Sequence, residues 1–467
     1  VSSTTSVSWK SALMWVMVII IAIATAGWFA VSCASDRSSA ERPVSEEEAA
    51  LLASMRERNL GSDPVALRMT LPVEGEMVVV DGYLNWQVPL LYARVPVEGG
   101  EHRLVQAVPG LIAGRADDGA AFAEVRVPED GWNTRQMLSG ASTPLETTLD
   151  ILASSLFTLT AEEADDPAEL AEQATWREEG IIDGEAVDSF RAPIMVATSD
   201  QAGPSPEALY SLDGSGDLRR FQVNTGAESL AAVDFLREVE FDPAGLVPVD
   251  LLGGPVIAPG EVDGDLAETL AGVRAANWSR SAVVELTVPV GDGQVATGSG
   301  SVDWRTMTAY LRVSDGDGDR LLLARPGGFA TVATDEEELP EVPPLDGWET
   351  HALADENAAD SFGPVESLVY RMLEMAAEEP GDAGELAEEA SLLRVDESGG
   401  EPVYVVEFPV AGDAPAEAGE SAFRYHVSED RLREVEMMSY FGAASAELEY
   451  EDFPMVAIPA AVSEAIG

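Results

Sequence analysis

The chain has 467 residues, of which 84 are acidic and 27 basic, so its formal net charge is −57. A surface of that sign repels nucleic-acid phosphates, which excludes a nucleic-acid partner, and it keeps an exported protein soluble. The only cysteine, Cys33, excludes an intrachain disulfide and any thiolate metal cluster.

Residues 11–33 form an uncharged, apolar-rich run of about twenty residues, long enough to cross a bilayer core. Lys10, the only lysine, precedes it, and basic residues prefer the cytoplasmic side. The expectation is a cell-membrane anchor with the bulk of the chain on the extracytoplasmic side. Two forms of anchor are open. Ala30-Val31-Ser32-Cys33 resembles a bacterial lipobox, which would make Cys33 the lipidated first residue. The apolar run is also longer than that of an ordinary signal peptide, which suits an uncleaved transmembrane helix. Residues 34–43 read as a polar linker.

From residue 44 the pattern is that of a folded unit extending to 250. Ser45 and Glu48 form a capping box that starts a helix over 46–59, with Leu51, Leu52 and Met55 on its inner face. ALRMTLPV, MVVVDGYLNW, PLLYARVPV and HRLVQAV then alternate apolar and polar residues, as antiparallel strands with one buried face do. Pro144 opens a helix carrying Leu145, Leu149, Leu152 and Leu156 at helical spacing. A second meander follows, closing on FLREVEFD. Pro, Gly and Asp residues then mark a linker over 251–264.

Residues 265–467 repeat this plan about 218 residues further on. Trp86 and Tyr92 answer to Trp304 and Tyr310, Pro109-Gly110 to Pro326-Gly327, and Gly131-Trp132 to Gly347-Trp348. The unit is too long for a solenoid or propeller blade, so two similar domains are expected. Asp265 and Glu268 are expected to cap the opening helix of the second copy, and Pro364 to start one carrying Val365, Leu368, Val369, Met372 and Leu373.

Catalytic signatures are absent from the sequence. His102, His351 and His426 fall opposite Asp319, Arg135 and Ser211 of the other copy, so no histidine is shared. Asp315, Asp317 and Asp319 start like a calcium loop, but Arg320 and Pro326 stand where glycine and glutamate belong. No zinc-protease, nucleophile-elbow or phosphate-loop motif occurs, and no enzyme is expected. The apolar stripes at 145–156 and 365–373 are either core or the wall of a cavity for an apolar ligand. Trp86 and Trp304 read as core packing.

The opening helix, the meander with Gly-Trp near its middle, the covering helices, the strand start Asp183 to Val187 and the closing YEDFPMVAIP at 450–459 together resemble the LolA-like family of envelope lipid and lipoprotein carriers, and within it the LppX and LprG type lipoproteins of actinobacteria. The resemblance implies an α+β fold: two tandem LolA-like domains, each a curved antiparallel β half-barrel covered by helices, after the N-terminal anchor. It further implies a lipid or acylated ligand held in an apolar cavity between sheet and helices, with no metal or redox cofactor. Burial would stabilise two long acyl chains by about 0.8 kcal/mol per CH₂ without specific polar contacts. The same fold also serves RseB-type envelope sensors, which bind a protein partner and can have a filled core. A cleft of about 1,000 Å³ or more, beyond an ordinary small-molecule pocket, would favour the carrier.

Overall fold

The computed structural model describes residues 41–466 apart from 118, 139, 195–206, 228, 255–256, 292–293, 317, 354–361, 399, 411–417, 420 and 453–454. The expected anchor over 11–33, with Cys33, lies outside the described residues. Among those described, no helix is long and apolar enough to cross a membrane.

A short strand, β1 (Arg42–Pro43), leads into helices α1 (Glu46–Ala53) and α2 (Met55–Leu60). Strands β2 (Val65–Val73), β3 (Glu76–Asn85), β4 (Leu90–Pro96), β5 (His102–Val108), β6 (Leu111–Ala116) and β7 (Asn133–Gln136) meander. Helices α3 (Pro144–Phe157) and α4 (Pro167–Gln173) follow. Strands β8 (Thr175–Ile182), β9 (Glu185–Pro193), β10 (Glu207–Asp213), β11 (Leu218–Val223) and β12 (Ala231–Leu236) complete the first half.

The second half repeats the list with β13 (Gly260–Glu261), α5 (Gly264–Asn277), β14 (Ser281–Gly291), β15 (Gln294–Asp303), β16 (Thr308–Asp315), β17 (Gly318–Arg325), β18 (Gly328–Ala333) and β19 (Glu349–Ala352). Helices α6 (Pro364–Glu374) and α7 (Ala383–Glu389) precede β20 (Ser391–Ser398), β21 (Glu401–Glu407), β22 (Phe423–Ser428), β23 (Arg431–Ser439) and β24 (Gly442–Tyr450). A last helix, α8 (Ala460–Ile466), ends the described chain.

Each half forms one 12-stranded antiparallel sheet, ordered β1-β8-β9-β10-β11-β12-β2-β3-β4-β5-β6-β7 and β13-β20-β21-β22-β23-β24-β14-β15-β16-β17-β18-β19. One order becomes the other on adding twelve to every strand number, which is the sequence repeat expressed as topology. The first and last long strands of each half pair with each other, β2 with β12 and β14 with β24. The crossing helices α3 and α6 then lie over one face of the sheet.

Alternation along the strands sends side chains to two distinct layers. Leu91, Ala93 and Val95 of β4 join Leu149, Leu152 and Leu156 of α3 in the main core. Leu90 and Tyr92 face the other way, into a smaller layer with Trp132, Leu246 and Val249. In the second half that back layer holds Tyr310, Trp348 and residues of α8. The chain after each final strand therefore returns to cover the back of its own sheet. In the first half Gln106 clamps this return, donating to Val247 O at 2.8 Å and accepting from Val249 N at 2.5 Å.

Both tryptophan pairs recur in role as well as position. Trp86 and Trp304 are fully buried in the main cores, and Trp304 Nε1 donates to Met372 O at 2.8 Å. Trp132 and Trp348 each donate Nε1 to the carbonyl four residues back, Pro128 and Pro344, at 2.7 Å. A device that the sequence reading missed is the pair Asn59 and Asn277. Their amides donate to Leu159 O and Met375 O, tying the opening helices to the ends of the crossing helices.

Three expected boundaries are corrected. The first helix is broken at Ser54, whose hydroxyl donates to the carbonyls of Ala50 and Leu51 and so competes with the helical ladder. Leu52 and Met55 are buried on its inner side and Leu51 is half-buried. In the second copy the cap is Asp263 rather than Asp265, its Oδ1 accepting from Leu266 N at 2.9 Å. The last strand of the first half spans Ala231–Leu236 instead of running to Asp242, because Arg237 N and Val239 N bond back to Phe235 O and Leu236 O.

The most deeply buried charge of the first half is Asp150 of α3, fully shielded, which accepts from Arg135 Nη1 at 2.6 Å, Arg135 Nη2 at 2.9 Å and Leu138 N at 2.7 Å. Removing one partner of such a pair leaves the other charge buried and alone. Asp150→Ala should therefore lower the unfolding free energy by about 3–5 kcal/mol, read from urea denaturation. A change below about 1 kcal/mol would mean that Arg135 finds solvent without cost.

Candidate ligand-binding site

Helix α3 starts at Pro144, and Glu146 N donates to the Thr143 cap at 3.2 Å. Along its first two turns Leu145 is half-buried and Leu149 buried, while Leu152 and Leu156 pack fully into the core. Between those turns and β4, β5 and β6 lies a cavity of about 890 Å³. Val95, Val105 and Ile112 form its sheet wall, and Leu145 and Leu149 its helix wall.

The second half closes the remaining side. Pro289, Gly291, Gln294 and Val295 of the β14–β15 hairpin and Phe441, Gly442 and Ala443 of the β23–β24 turn all line the cavity. This wall is held to the edge strand β7, where Gln136 N donates to Tyr440 O at 3.1 Å and Thr134 Oγ1 contacts Met438 Sδ at 3.7 Å. A buried ion pair braces the same junction: Arg424 of β22 donates to both oxygens of Asp250, at 2.5 and 2.7 Å.

Charge is confined to a few places in the lining. Arg103 approaches Glu146 at 3.6 Å, and its guanidinium lies over Gly114, where a Cβ would stand 2.6 Å from Nε. Burial opposes the Glu146 charge, but hydrogen bonds from Ser142, with Arg135 and Arg103 nearby, hold its pKa below the ordinary carboxylate value. Arg135 is taken up by Asp150. The lining contains no histidine or cysteine. Apolar walls with the Arg103–Glu146 pair, and with Glu74 also in the lining, suit an apolar chain with a polar end.

Among the described residues, the matching space of the second half is less than half as large. Its corresponding recess, bordered by Val290, Asp315, Arg320, Val365 and Glu366, measures about 400 Å³. Ile112 pairs across the sheet with Arg135, and the matching pair in the second half is Phe329 with His351. Counting from Pro144 and Pro364, Ser142 and Asp150 likewise become Phe362 and Tyr370. These four rings pack together: Phe329 stacks on His351 at 4.7 Å, Phe362 meets Phe329 edge-on at 5.2 Å, and Tyr370 lies tilted against Phe362 at 4.9 Å. An aromatic plug thus occupies the second half where the first is open.

The expected site residues divide accordingly. Leu145 and Leu149 line the large cavity, whereas Leu152 and Leu156 belong to sealed core. Val365 borders the small recess, and Leu368, Val369, Met372 and Leu373 are core of the second half. A sheet wall was expected but not its residues, and the plug and the wall supplied by the second half were not anticipated. The plug did leave a trace, in the aromatic residues found in one copy only.

The fold is thus a two-copy antiparallel half-barrel, with a large cavity in the first half and a smaller recess in the second. No protein-family profile matches the chain, and no relative was found among curated sequences. Solved structures similar to it include the Mycobacterium tuberculosis lipoprotein LppX, at 11% identity and TM-score 0.25, covering 42% of this chain and all of that one. The Pseudomonas aeruginosa MucA/MucB complex matches at 10% identity and TM-score 0.22, covering 65% of this chain and 90% of that one. An uncharacterised conserved protein from Thermus thermophilus matches at 11% and 0.22, covering 42% and 90%. The lipoprotein class suggested by the sequence is thus among the similar structures. At these scores the likeness carries no argument about activity, and the fold description rests on the two sheets themselves.

The joint wall is directly testable at Gly140, where a Cβ would meet Tyr440 O at 2.3 Å. Gly140→Val should lift the β23–β24 turn off β7 and speed hydrogen exchange at the Gln136 amide. Unchanged protection there would contradict the contact.

Proposed function

We propose that the protein is a non-enzymatic binding protein that holds one acyl chain of a lipid or acylated ligand in the cavity of its first half. The second half serves as a wall and scaffold. The observation that carries this reading is the contrast between two halves of equal topology, one with an apolar-walled cavity of about 890 Å³ and one with four packed rings at the matching positions. That volume lies at the upper end of ordinary ligand pockets and short of the mark of about 1,000 Å³ set above for a carrier, so the reading is limited to a single chain. Each CH₂ taken from water would contribute about 0.8 kcal/mol, and Arg103 is placed to meet an acidic end group.

Membrane attachment through residues 11–33, by lipidated Cys33 or an uncleaved helix, would hold the domains on the extracytoplasmic side within reach of such a ligand. A sensor that binds an envelope protein partner is the second reading, favoured by the filled second half.

A fluorescent polyunsaturated fatty acid titrated into the purified protein should bind once per chain. Ile112→Phe with Ser142→Phe transfers half of the plug into the first half and should lower affinity by roughly tenfold or more, about 1.4 kcal/mol. The reverse exchange, Phe329→Ile with Phe362→Ser, should raise the stoichiometry toward two. Absence of binding to the unaltered protein, or binding unaffected by the plug, would move the function to the sensor.

A further inference from the structure

On the face of the second sheet turned away from α6, strands β22 and β23 bring together three groups of metal-ligand type. Tyr425, Val427 and Val435 point into the main core, so the intervening His426, Glu434 and Glu436 point to the opposite side. His426 stands directly across from Glu434, with Glu436 two residues along on the same face. Nδ1 lies 3.4 Å from Glu434 Oε2, and Nε2 lies 3.1 Å from Glu436 Oε2. One imidazole nitrogen and one oxygen of each carboxylate fall within 4.8 Å of one another.

In so acidic a chain, two neighbouring carboxylates carry no weight alone. Two further observations do. His426 is only 7% exposed, and its Nε2 and Glu436 Oε2, both shut from solvent, face each other at 3.1 Å in a contact poorly aligned for a hydrogen bond. A cation held between the imidazole and the two carboxylates would serve both atoms with better geometry than they offer each other. The second observation is the first half, which has the same strand pairing and the same bulge beside it. There the equivalent cross-strand positions are Ser211, Arg220 and Gln222. Ser211 shares a 2.9 Å hydrogen bond with Ser189 and Arg220 pairs with Asp234, so that half is satisfied by its own side chains. The shared backbone therefore does not require a histidine between two glutamates.

We propose that His426, Glu434 and Glu436 form a binding site for a divalent transition-metal ion of the zinc or manganese class. Two carboxylates balance the charge of the ion, a neutral imidazole supplies the nitrogen that distinguishes this class from calcium or magnesium, and the remaining positions are open to water or to a ligand. The ion has a route from solvent, since the Glu434 and Glu436 side chains are 25% and 22% exposed. The site departs from the sequence expectation of no metal. Its spacing, seven residues from histidine to the first glutamate and one between the glutamates, is set by a hairpin and matches no familiar motif.

The test is isothermal titration of the metal-free protein with zinc chloride, and separately with manganese and calcium chloride. The exposed run Glu336, Glu337 and Glu338 supplies a control for nonspecific binding by surface carboxylates. One saturable zinc or manganese site per chain is expected, retained in E336Q/E337Q/E338Q and weakened roughly tenfold or more in E434Q/E436Q. Should that double variant fail to fold, H426Q, which removes the nitrogen ligand alone, carries the same expectation. A titration without a saturable site, equal loss in the control variant, full retention in both site variants, or calcium binding as tight as zinc would each overturn the assignment.

Discussion

Everything in this molecule depends on how the apolar face of a 12-stranded sheet is kept from water. One crossing helix of 11 or 14 residues covers only part of such a face, and the uncovered part must be filled by side chains or by something else. The second half fills it with Phe329, His351, Phe362 and Tyr370. The first half, with Ile112, Arg135, Ser142 and Asp150 at the same positions, leaves a space. Since close packing gains many small dispersion contacts that a void forfeits, an apolar space of this size is a stability cost that makes sense where a ligand recovers it.

The two halves are therefore best regarded as one topology used in two ways. The filled half supplies two hairpin tips to the wall of the open one, and the Arg424–Asp250 pair and the β7 contacts brace that junction. Divergence also reached the back of the second sheet, where His426, Glu434 and Glu436 replace a serine, an arginine and a glutamine. The repeat gives an internal reference for both differences, since the same backbone folds with either set of side chains.

Much of the fold was legible in the sequence because its signals are local. The Ser45 cap, Pro144 and Pro364 at helix starts, and the alternation of apolar residues act over a few residues, and the repeat at about 218 residues adds the architecture. The misplaced boundaries also had local causes: Ser54 bonding back along its own helix, and two aspartates competing for one cap at Asp263 and Asp265. The site was less legible. The stripes Leu145 to Leu156 and Val365 to Leu373 record that one helix face is buried, but not what it is buried against. Whether a cavity opens is decided across strands, by Ile112 opposite Arg135 in one half and Phe329 opposite His351 in the other. The metal-type cluster depends on the register of β22 against β23 in the same way.

The central claim, one open half and one filled half, is tested most directly by native mass spectrometry of the protein purified from a bacterial host, before and after organic extraction. The account predicts one added mass per chain, removed by extraction and identified as a single-chain acyl lipid. Two such ligands per chain, or a chain that carries none and takes up none when challenged, would contradict it.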